Sequence, residues 1–513
     1  MEHIYSVLPR LLALFDADKY SPTYGIGDRF YWGWKLIDFG NGSYQGAANG
    51  LARLAASGLL PDYLTDAFVE KKIQSLFEGA KMLTRANGSM EEAFPYESSF
   101  CVTALAAYDL LSCLEVQEAL LSKSEFASRI EIIAPMVAFL QKAEENHGII
   151  SNHLATGAAA LYKWNNFIED SKAEKKGHLL LDRILKNMSP EGWMREYDGA
   201  DPGYQTLALH YLADLHRIRP DLELGEVLSK SVRFLSYFAH PDGSFGGLYG
   251  SRNTRFFFPS GLEYLAGENP TAATLAGFMR NAIKHLRTVT LLTMDEPNLI
   301  PMFNSYCWAA ALAKSVKDSS IQLGLLPCSD TRLKDVHFQQ AGIFIKSTPE
   351  HYTVVAIKKG GVVASYSRDG TNRMIDGGSI VVRERTAYST QIFGEHETEW
   401  DNGTLSVTVE PRAINHRYPK PWQFILLRVL NITMMRNRWF NGIIKKMLVA
   451  MLMTNIKKYG TTLIRKINFS GGLAHVRCEW KEYKPEHAQL YSGGEFKSIH
   501  MASAGYWQRG DEY

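Results

Sequence analysis

The sequence predicts an α+β protein of two domains, an (α/α) toroid of helical hairpins followed by an antiparallel β-sandwich. The chain has 513 residues, its apolar periodicity is helical up to about residue 317, and strand-like alternation begins after Pro327. A single hydrophobic core stops growing at roughly 250 to 300 residues, so two cores are expected. We place the toroid at residues 1–325 and the sandwich at 326–513, with a basic helical insertion at about 421–459.

The toroid prediction depends on apolar residues that recur at intervals of three and four. The clearest helical runs are 65–83, 98–121, 130–146, 155–168, 204–218 and 224–239. Similar loops separate successive pairs of runs, with glycines at Gly88, Gly148, Gly192 and Gly243, which indicates a helical-hairpin repeat of irregular length. Equivalent loops of such a repeat emerge on one face, so residues far apart in sequence are expected to line one cleft.

The sandwich prediction depends on a period of two in the second part of the chain. The strand-like segments are 342–347, 352–357, 378–383, 405–409 and 474–480. Several short strands between turns are typical of a sheet domain in which two layers pack together.

The remaining composition narrows the location and the class of protein. Five cysteines are odd in number, widely spaced and without a CxxC pair, so neither a disulfide framework nor a zinc site is expected and a reducing compartment is favoured. Charged residues interrupt the apolar positions of the first twenty residues, which argues against a secretory signal. We therefore expect a cytoplasmic protein, peripheral on the inner face of a membrane if the basic insertion binds lipid.

Positive charge is concentrated in the second half of the chain. The formal net charge is +2, yet no acid occurs between Glu410 and Glu479, where thirteen Lys and Arg residues lie. Within this stretch, cations alternate with apolar residues, a pattern typical of helices that lie in an anionic membrane surface. The predicted membrane-binding residues are Arg428, Arg436, Arg438, Lys445 and Lys446. A helical pair buried against the toroid remains the alternative, and nucleic acid is disfavoured because few stacking aromatics are interleaved.

Candidate site residues come from the loops of the predicted repeat. Ser151-Asn152-His153 stands near the start of one helical run, and Tyr204 stands at the start of another. The candidate substrate-binding residues share positions in or beside these loops and side chains suited to sugars: Tyr96, Glu97, Trp193, Tyr197, His210, Arg252, Asn253 and Glu263. Asn152 and His153 could instead cap a helix, and Tyr204 could be an ordinary packed aromatic.

The toroid, the Asn-His pair, the later tyrosine and the terminal sandwich resemble the heparinase II/III-like polysaccharide lyases. The resemblance implies β-elimination on a uronate-containing acidic polysaccharide, which could be bacterial and lipid-linked. It implies that Asn152 and His153 neutralise the substrate carboxylate while Tyr204 transfers the proton. This sequence departs from the family at residues 364–372, where the second catalytic histidine is missing. No metal and no cofactor are expected.

Two other functions fit the same pattern. A glycoside hydrolase needs two carboxylates that face one bond, and the cleft loops supply several acids: Glu91, Glu92, Glu97, Glu196, Asp198 and Asp201. A non-catalytic glycan-binding assembly protein is the third possibility, favoured by the missing histidine. The oligomeric state is not indicated by the sequence.

Overall fold

The computed structural model describes residues 1–92, 95–146, 148–315, 322–384, 386–414, 420–449, 458–470, 472–482, 488–494 and 509–512. Helices come first: α1 Glu2–Leu12, α2 Arg29–Trp32, α3 Ala47–Ala56, α4 Asp66–Leu83, α5 Phe100–Gln117, α6 Lys123–Leu140, α7 Ser151–Ile168, α8 Ser171–Asn187, α9 Pro202–Ile218, α10 Gly225–Ser236, α11 Ser260–Leu265, α12 Pro270–Lys284 and α13 Glu296–Ser315. A short hairpin, β1 Arg195–Glu196 with β2 Gly199–Ala200, interrupts them.

Local signals explain where the helices begin. Ser122 and Glu125 form a capping box, in which each side chain accepts the backbone N–H of the other residue. This box starts α6 earlier than the apolar run 130–146 predicted. Asp201 caps α9 by accepting the N–H of Tyr204 at 3.1 Å, and Pro202 occupies the first helical position, which suits its fixed φ.

The helices form a closed ring. Six inner helices, α3, α5, α7, α9, α11 and α13, pack side by side, and α1, α4, α6, α8, α10 and α12 lie outside them. The ring closes where α13 packs on α3: Asn304 accepts the N–H of Gly50 at 3.0 Å and donates its amide to the Gly46 carbonyl at 2.9 Å. The predicted helical toroid is therefore confirmed.

One end of this ring carries the longer connections. The loops 84–99, 141–150, 188–201 and 237–259 each precede an inner helix and so lie where the inner helices begin. Isolated β-bridges tie neighbouring loops together, at Asn41 with Glu91 and at Ile150 with Glu196. This is the end at which the repeat pattern predicted a cleft.

After the toroid, the described strands form three antiparallel sheets. The first sheet contains β3 Val336–Phe338, β4 Ile343–Ser347, β5 His351–Ala356, β6 Val362–Ser367 and β7 Arg373–Asp376. The second has the order β12-β9-β8-β15-β16, from Arg412–Ala413, Thr386–Ser389, Ser379–Arg383, Gln489–Gly493 and Arg509–Glu512. The third has the order β10-β11-β13-β14, from Glu397–Asp401, Thr404–Val409, Leu463–Asn468 and His475–Trp480.

The first sheet lies between the toroid and the third sheet. Alternate residues of a strand point to opposite faces, and in β4 Ile343 and Ile345 belong to the toroid core whereas Phe344 packs with the third sheet. A buried ion pair between Arg465 and Asp376 connects the third sheet with the end of β7. The prediction of a β-sandwich after the toroid is confirmed.

The basic insertion is helical, as predicted. It contains α14 Pro421–Ile432 and α15 Arg438–Val449, joined by a 3₁₀ turn at Met434–Arg436. Among the described residues, α5 alone is long and apolar enough to cross a membrane by composition, but 78% of it is buried inside the protein as an inner helix.

Candidate functional site

The motif residues lie in the first turns of two neighbouring inner helices. α7 begins at Ser151, so Asn152 and His153 belong to its first turn, and Tyr204 belongs to the first turn of α9. The structure therefore brings Asn152 and Tyr204 to the same end of the toroid. Neither Asn152 nor His153 caps a helix, because the capping position is Ile150, which makes no side-chain hydrogen bond there.

The β1–β2 hairpin lies between the starts of α7 and α9. Ser151 Oγ donates to the carbonyl of Arg195 at 2.7 Å, and Ile150 forms a β-bridge with Glu196. From the other side, Ser251 Oγ donates to the carbonyl of Glu196 at 3.0 Å. The hairpin is thus held between the loop before α7 and the loop before α11.

Glu196 is the buried acid at the centre of this arrangement. Its Oε1 accepts the backbone N–H of Asn152 at 3.0 Å, and its Oε2 accepts the Asn152 amide at 2.9 Å. Burial raises the pKa of Glu196 to about 8, against the opposing effects of the Asn152 donors and the Arg252 charge. The carboxyl is therefore mostly protonated at neutral pH, in a range where it can exchange a proton.

Asp201 holds the loop that carries Arg252. Its Oδ2 accepts the N–H of Arg252 at 2.8 Å, while its Oδ1 accepts the N–H of Tyr204 and the hydroxyl of Thr254. Burial raises the pKa of Asp201, and these donors oppose the rise. Because both oxygens are engaged inside the protein, Asp201 positions its neighbours and does not face a ligand.

Arg252 offers a guanidinium to the site. It lies over the ring of Tyr197, with Cζ 4.3 Å from the ring centroid. Its Nε is buried and has no hydrogen-bond partner among the described residues. No carboxylate of the described residues forms an ion pair with the Arg252 guanidinium. Tyr197 is held with φ at 58°, an uncommon conformation for a tyrosine. An unpaired guanidinium in this place is suited to a planar anion such as a carboxylate.

Tyr204 packs edge-on against Phe256, with ring centroids 5.3 Å apart, and remains partly exposed. Burial raises the pKa of Tyr204 well above 10, although the charge of Arg252 opposes this rise. The side chain is therefore a neutral phenol in the free protein, which is the form that donates a proton.

His153 forms a dyad with a buried carboxylate. Its Nδ1 lies 2.7 Å from Oε2 of Glu145, whose side chain is 1% exposed, whereas the imidazole is 20% exposed. Glu145 fixes the orientation of the ring, as carboxylates do for catalytic and metal-bound histidines. The remaining nitrogen, Nε2, has no hydrogen-bond partner in the described part of the chain.

Lys359 is a site residue that the sequence did not indicate. It ends a 3₁₀ turn between β5 and β6, is 4% exposed, and donates to the carbonyl of Gly250 and to Oδ1 of Asn253. Burial lowers the pKa of Lys359 to about 7, although Asp201 opposes this change. In the sequence, a lysine next to two glycines looks like an ordinary solvent-exposed turn residue. Its buried position is visible only in the structure, where it contacts Gly250 and Asn253 of the toroid.

Two further candidates lie at the start of α5. Tyr96 adopts φ of 62°, with Arg85 4.7 Å from its ring centroid, and Oε1 of Glu97 accepts the N–H of Glu92 at 2.7 Å. Cys101, in the first turn of α5, is surrounded by acidic residues from three loops. Its pKa is raised by burial and by the charges of Glu92, Glu145, Glu97 and Glu196. The loops before α5, α7 and α9 therefore meet around the first turn of α5.

Trp193 lies at the joint between the two domains and not with this group. Its indole donates to Oε2 of Glu191 at 2.9 Å. The same carboxylate accepts the backbone N–H groups of Gln340 and Ala341 at 2.8 and 3.0 Å. Trp193 thus helps to connect the toroid with the first sheet.

His210 and Glu263 also lie apart from the group. His210 is 2% exposed and hydrogen-bonded to Ser260, and burial lowers its pKa to about 3. Glu263 forms an ion pair with Arg280 on an outer helix. The sequence could not show this, because the inner helices are buried on almost every side and have no polar face that would indicate which residues line the cleft. In the described ranges, no cluster of three His, Cys, Asp or Glu side chains is arranged to hold a metal ion.

Comparisons place this architecture among solved enzymes. At the level of sequence, no family model and no curated protein matches the chain. A chondroitin AC lyase from Streptomyces coelicolor A3, solved with chondroitin sulphate, is similar over 96% of this chain and 67% of its own, with a TM-score of 0.57 and 8% identity. Heparinase III matches with 13% identity over 79% of this chain and 77% of its own, with a TM-score of 0.38. The first similarity shows that the chain has the toroid-plus-sheet fold of a polysaccharide lyase.

Proposed function

We propose that the chain acts on a glycan, as a carbon–oxygen lyase that cleaves a uronate-containing acidic polysaccharide by β-elimination. The observation that carries the proposal is the guanidinium of Arg252, whose buried Nε has no partner in the described residues, on a loop that Asp201 ties to the backbone of Tyr204. Elimination from a uronate requires that the carboxylate be neutralised, since the C5 proton is otherwise too weakly acidic. Arg252 supplies its guanidinium for that task, and the Asn152 amide, which donates one N–H to Glu196, has a second N–H to supply.

Two groups can move the protons. In the proposed reaction Nε2 of His153, whose ring is fixed by Glu145, takes the proton from C5, and its electron pair forms the C4–C5 double bond. The C4–O bond breaks, and the phenol of Tyr204 donates its proton to the departing oxygen. Solvent then removes the proton from His153 and reprotonates Tyr204. The raised pKa of Tyr204 keeps its phenol protonated in the free protein, which is the form that the acid step requires.

A glycoside hydrolase is the second candidate, because Glu196 and Asp201 are both acids with raised pKa values. Hydrolysis needs two carboxyl groups that face one glycosidic bond. Here both are completely buried, and their oxygens accept hydrogen bonds from Asn152, Tyr204 and Arg252. This enclosure favours the lyase.

The test is incubation with a panel of acidic polysaccharides while both ultraviolet absorbance and reducing ends are followed. A lyase produces an absorbing double bond with each new reducing end, a hydrolase produces reducing ends alone, and a binding protein produces neither. Tyr204→Phe should lower turnover by about 10² or more, as expected for loss of a proton donor, without loss of glycan binding. Tyr264→Phe, at a partly buried tyrosine on α11, is the matched control and should retain full turnover. Reducing ends without absorbance would contradict the proposal.

A further inference from the structure

The α14–α15 insertion exposes an apolar surface that nothing in the described chain covers. In α14, Phe424 is 58% exposed and Ile425 is 66% exposed, and in α15 Trp439 is 67% exposed. Among the described side chains, the other large apolar residues exposed on the insertion are Trp422, Leu426, Val429, Ile432, Met434, Phe440, Ile443 and Met447. A soluble surface rarely gathers so many large apolar side chains, so this face marks an interaction site.

The opposite side of the insertion is attached to the toroid. Asn441 is 4% exposed and donates its amide to the carbonyl of Pro95 at 2.9 Å. Arg428 donates to the carbonyl of Lys35 at 2.9 Å and forms an ion pair with Asp38 at 3.1 Å. Arg428 was predicted to bind lipid, but the structure uses part of its charge to hold α14 on the toroid. The two helices are therefore docked on the toroid, and their exposed apolar residues are not a core that has failed to pack.

A segment from the start of the chain extends the same surface. Trp34 and Leu36 are each 57% exposed, beside the carbonyls that Arg428 binds. The guanidinium of Arg29 lies 5.4 Å from the Trp34 ring centroid, so the aromatic side chain is flanked by a cation. Two parts of the chain separated by almost 400 positions therefore form one surface that is both apolar and basic. We call residues 29–36 together with α14 and α15 the basal face.

The positive charge of the insertion and the lengths of its two helices indicate what kind of partner covers the basal face. No acid lies between Glu410 and Glu479, and Arg436 is exposed beside the apolar side chains. A second copy of the chain would bring two surfaces of like charge together, which is unfavourable. Over the described residues α14 and α15 have twelve residues each, so each is about 18 Å long, which is too short for a hydrocarbon layer of about 30 Å and suits a position in the plane of a bilayer. The side chains of Arg438, Lys445 and Lys446, which were predicted to contribute charge, lie outside the described residues.

We propose that the basal face docks the protein on an anionic lipid bilayer, with the toroid end that carries Asn152 and Tyr204 held close to the membrane. Pro95 and Tyr96, which belong to the loop before α5, connect the docked insertion with that end of the toroid. An acidic glycan anchored to lipid would meet the cleft at the membrane surface. The docking does not depend on the proposed reaction, and its test uses no enzyme activity.

The test is flotation of the full chain with vesicles of phosphatidylcholine, alone or mixed with phosphatidylglycerol. The wild type should float with the anionic vesicles, and each cation near such a surface should strengthen partition about fivefold at low salt. Phe424→Ser, Ile425→Ser and Trp439→Ser combined should weaken partition by on the order of tenfold per side chain. Circular dichroism should show that this triple variant keeps the fold.

The matched control is a triple variant with Leu120→Ser, Leu179→Ser and Leu323→Ser, which removes leucines of 75%, 54% and 63% exposure elsewhere on the protein. This control should float as the wild type does. Equal flotation of the basal-face variant, or equal flotation with neutral and anionic vesicles, would overturn the proposal. So would a wild-type dimer that the basal-face variant disrupts without any flotation, because a second copy would then cover the surface.

Discussion

Replacement of Glu196 by glutamine tests whether burial dominates the electrostatics of the site. The pKa of this carboxyl rises from 4.5 to about 8 in the folded protein. Between these values the unfolded chain releases its proton while the folded chain keeps it, so the free energy of unfolding decreases as the pH rises. At about 1.4 kcal/mol per pH unit, the full interval corresponds to roughly 5 kcal/mol lost above pH 8.

Glutamine cannot ionise, so Glu196→Gln should lack this loss. When the side-chain amide of Asn152 rotates, its carbonyl oxygen can accept a hydrogen bond either from a protonated Glu196 or from a glutamine at this position. The wild type and the variant should therefore have similar stability below about pH 4.5. The variant should become progressively more stable than the wild type up to about pH 8. For a chain of this length, unfolding entropy near 1 kcal/mol per degree converts the difference into a melting temperature higher by roughly 5 °C.

Differential scanning calorimetry across this pH range measures the effect. Glu118→Gln, at an exposed carboxylate after α5, is the control and should give a melting curve parallel to the wild type at every pH. A Glu196→Gln variant whose melting temperature also stays parallel to the wild type would refute the reasoning. It would mean that the Asn152 donors compensate fully for burial.

Two other substitutions address groups around the site. Lys359→Met replaces a buried amine whose pKa is lowered to about 7; the wild type should gain stability as the pH rises from about 7 towards 10.5, whereas the variant should lack this gain in chemical denaturation. Glu145→Gln should lower turnover about 10- to 100-fold by releasing the His153 ring, whereas unchanged turnover would show that the reaction does not depend on the orientation of His153.

The fold class could be predicted because its signals are local. Helical periodicity, the loop glycines and the change to a period of two each require only a short window of sequence. The order of strands could not be predicted, since β8 pairs with β15 across more than a hundred intervening residues. Nothing within either strand specifies that partner, so the layers of the sandwich emerge only when the whole chain is packed.

The candidate site was predicted in part for the same reason. The starts of α7 and α9 carry recognisable motifs, so Asn152 and Tyr204 could be named. His210 could not be separated from the cleft, because α9 is buried on almost every side and its periodicity marks no outward face. Lys359 enters from the other domain, and its buried position depends on contacts that no local pattern records. The candidate site depends on contacts between segments that are distant in sequence, whereas a local sequence pattern indicates only which helices and strands form.

The closure of the ring has a consequence for how the protein is made. The flank of α3 that packs on α13 has no partner until residues near Asn304 have left the ribosome. At about 5 to 20 residues per second, that interval lasts on the order of ten to fifty seconds. During this time the growing chain is an open arc with an apolar edge, which is a ready substrate for chaperones. The toroid is completed by its last helix, and the first sheet, which packs on the toroid core, can dock only after that.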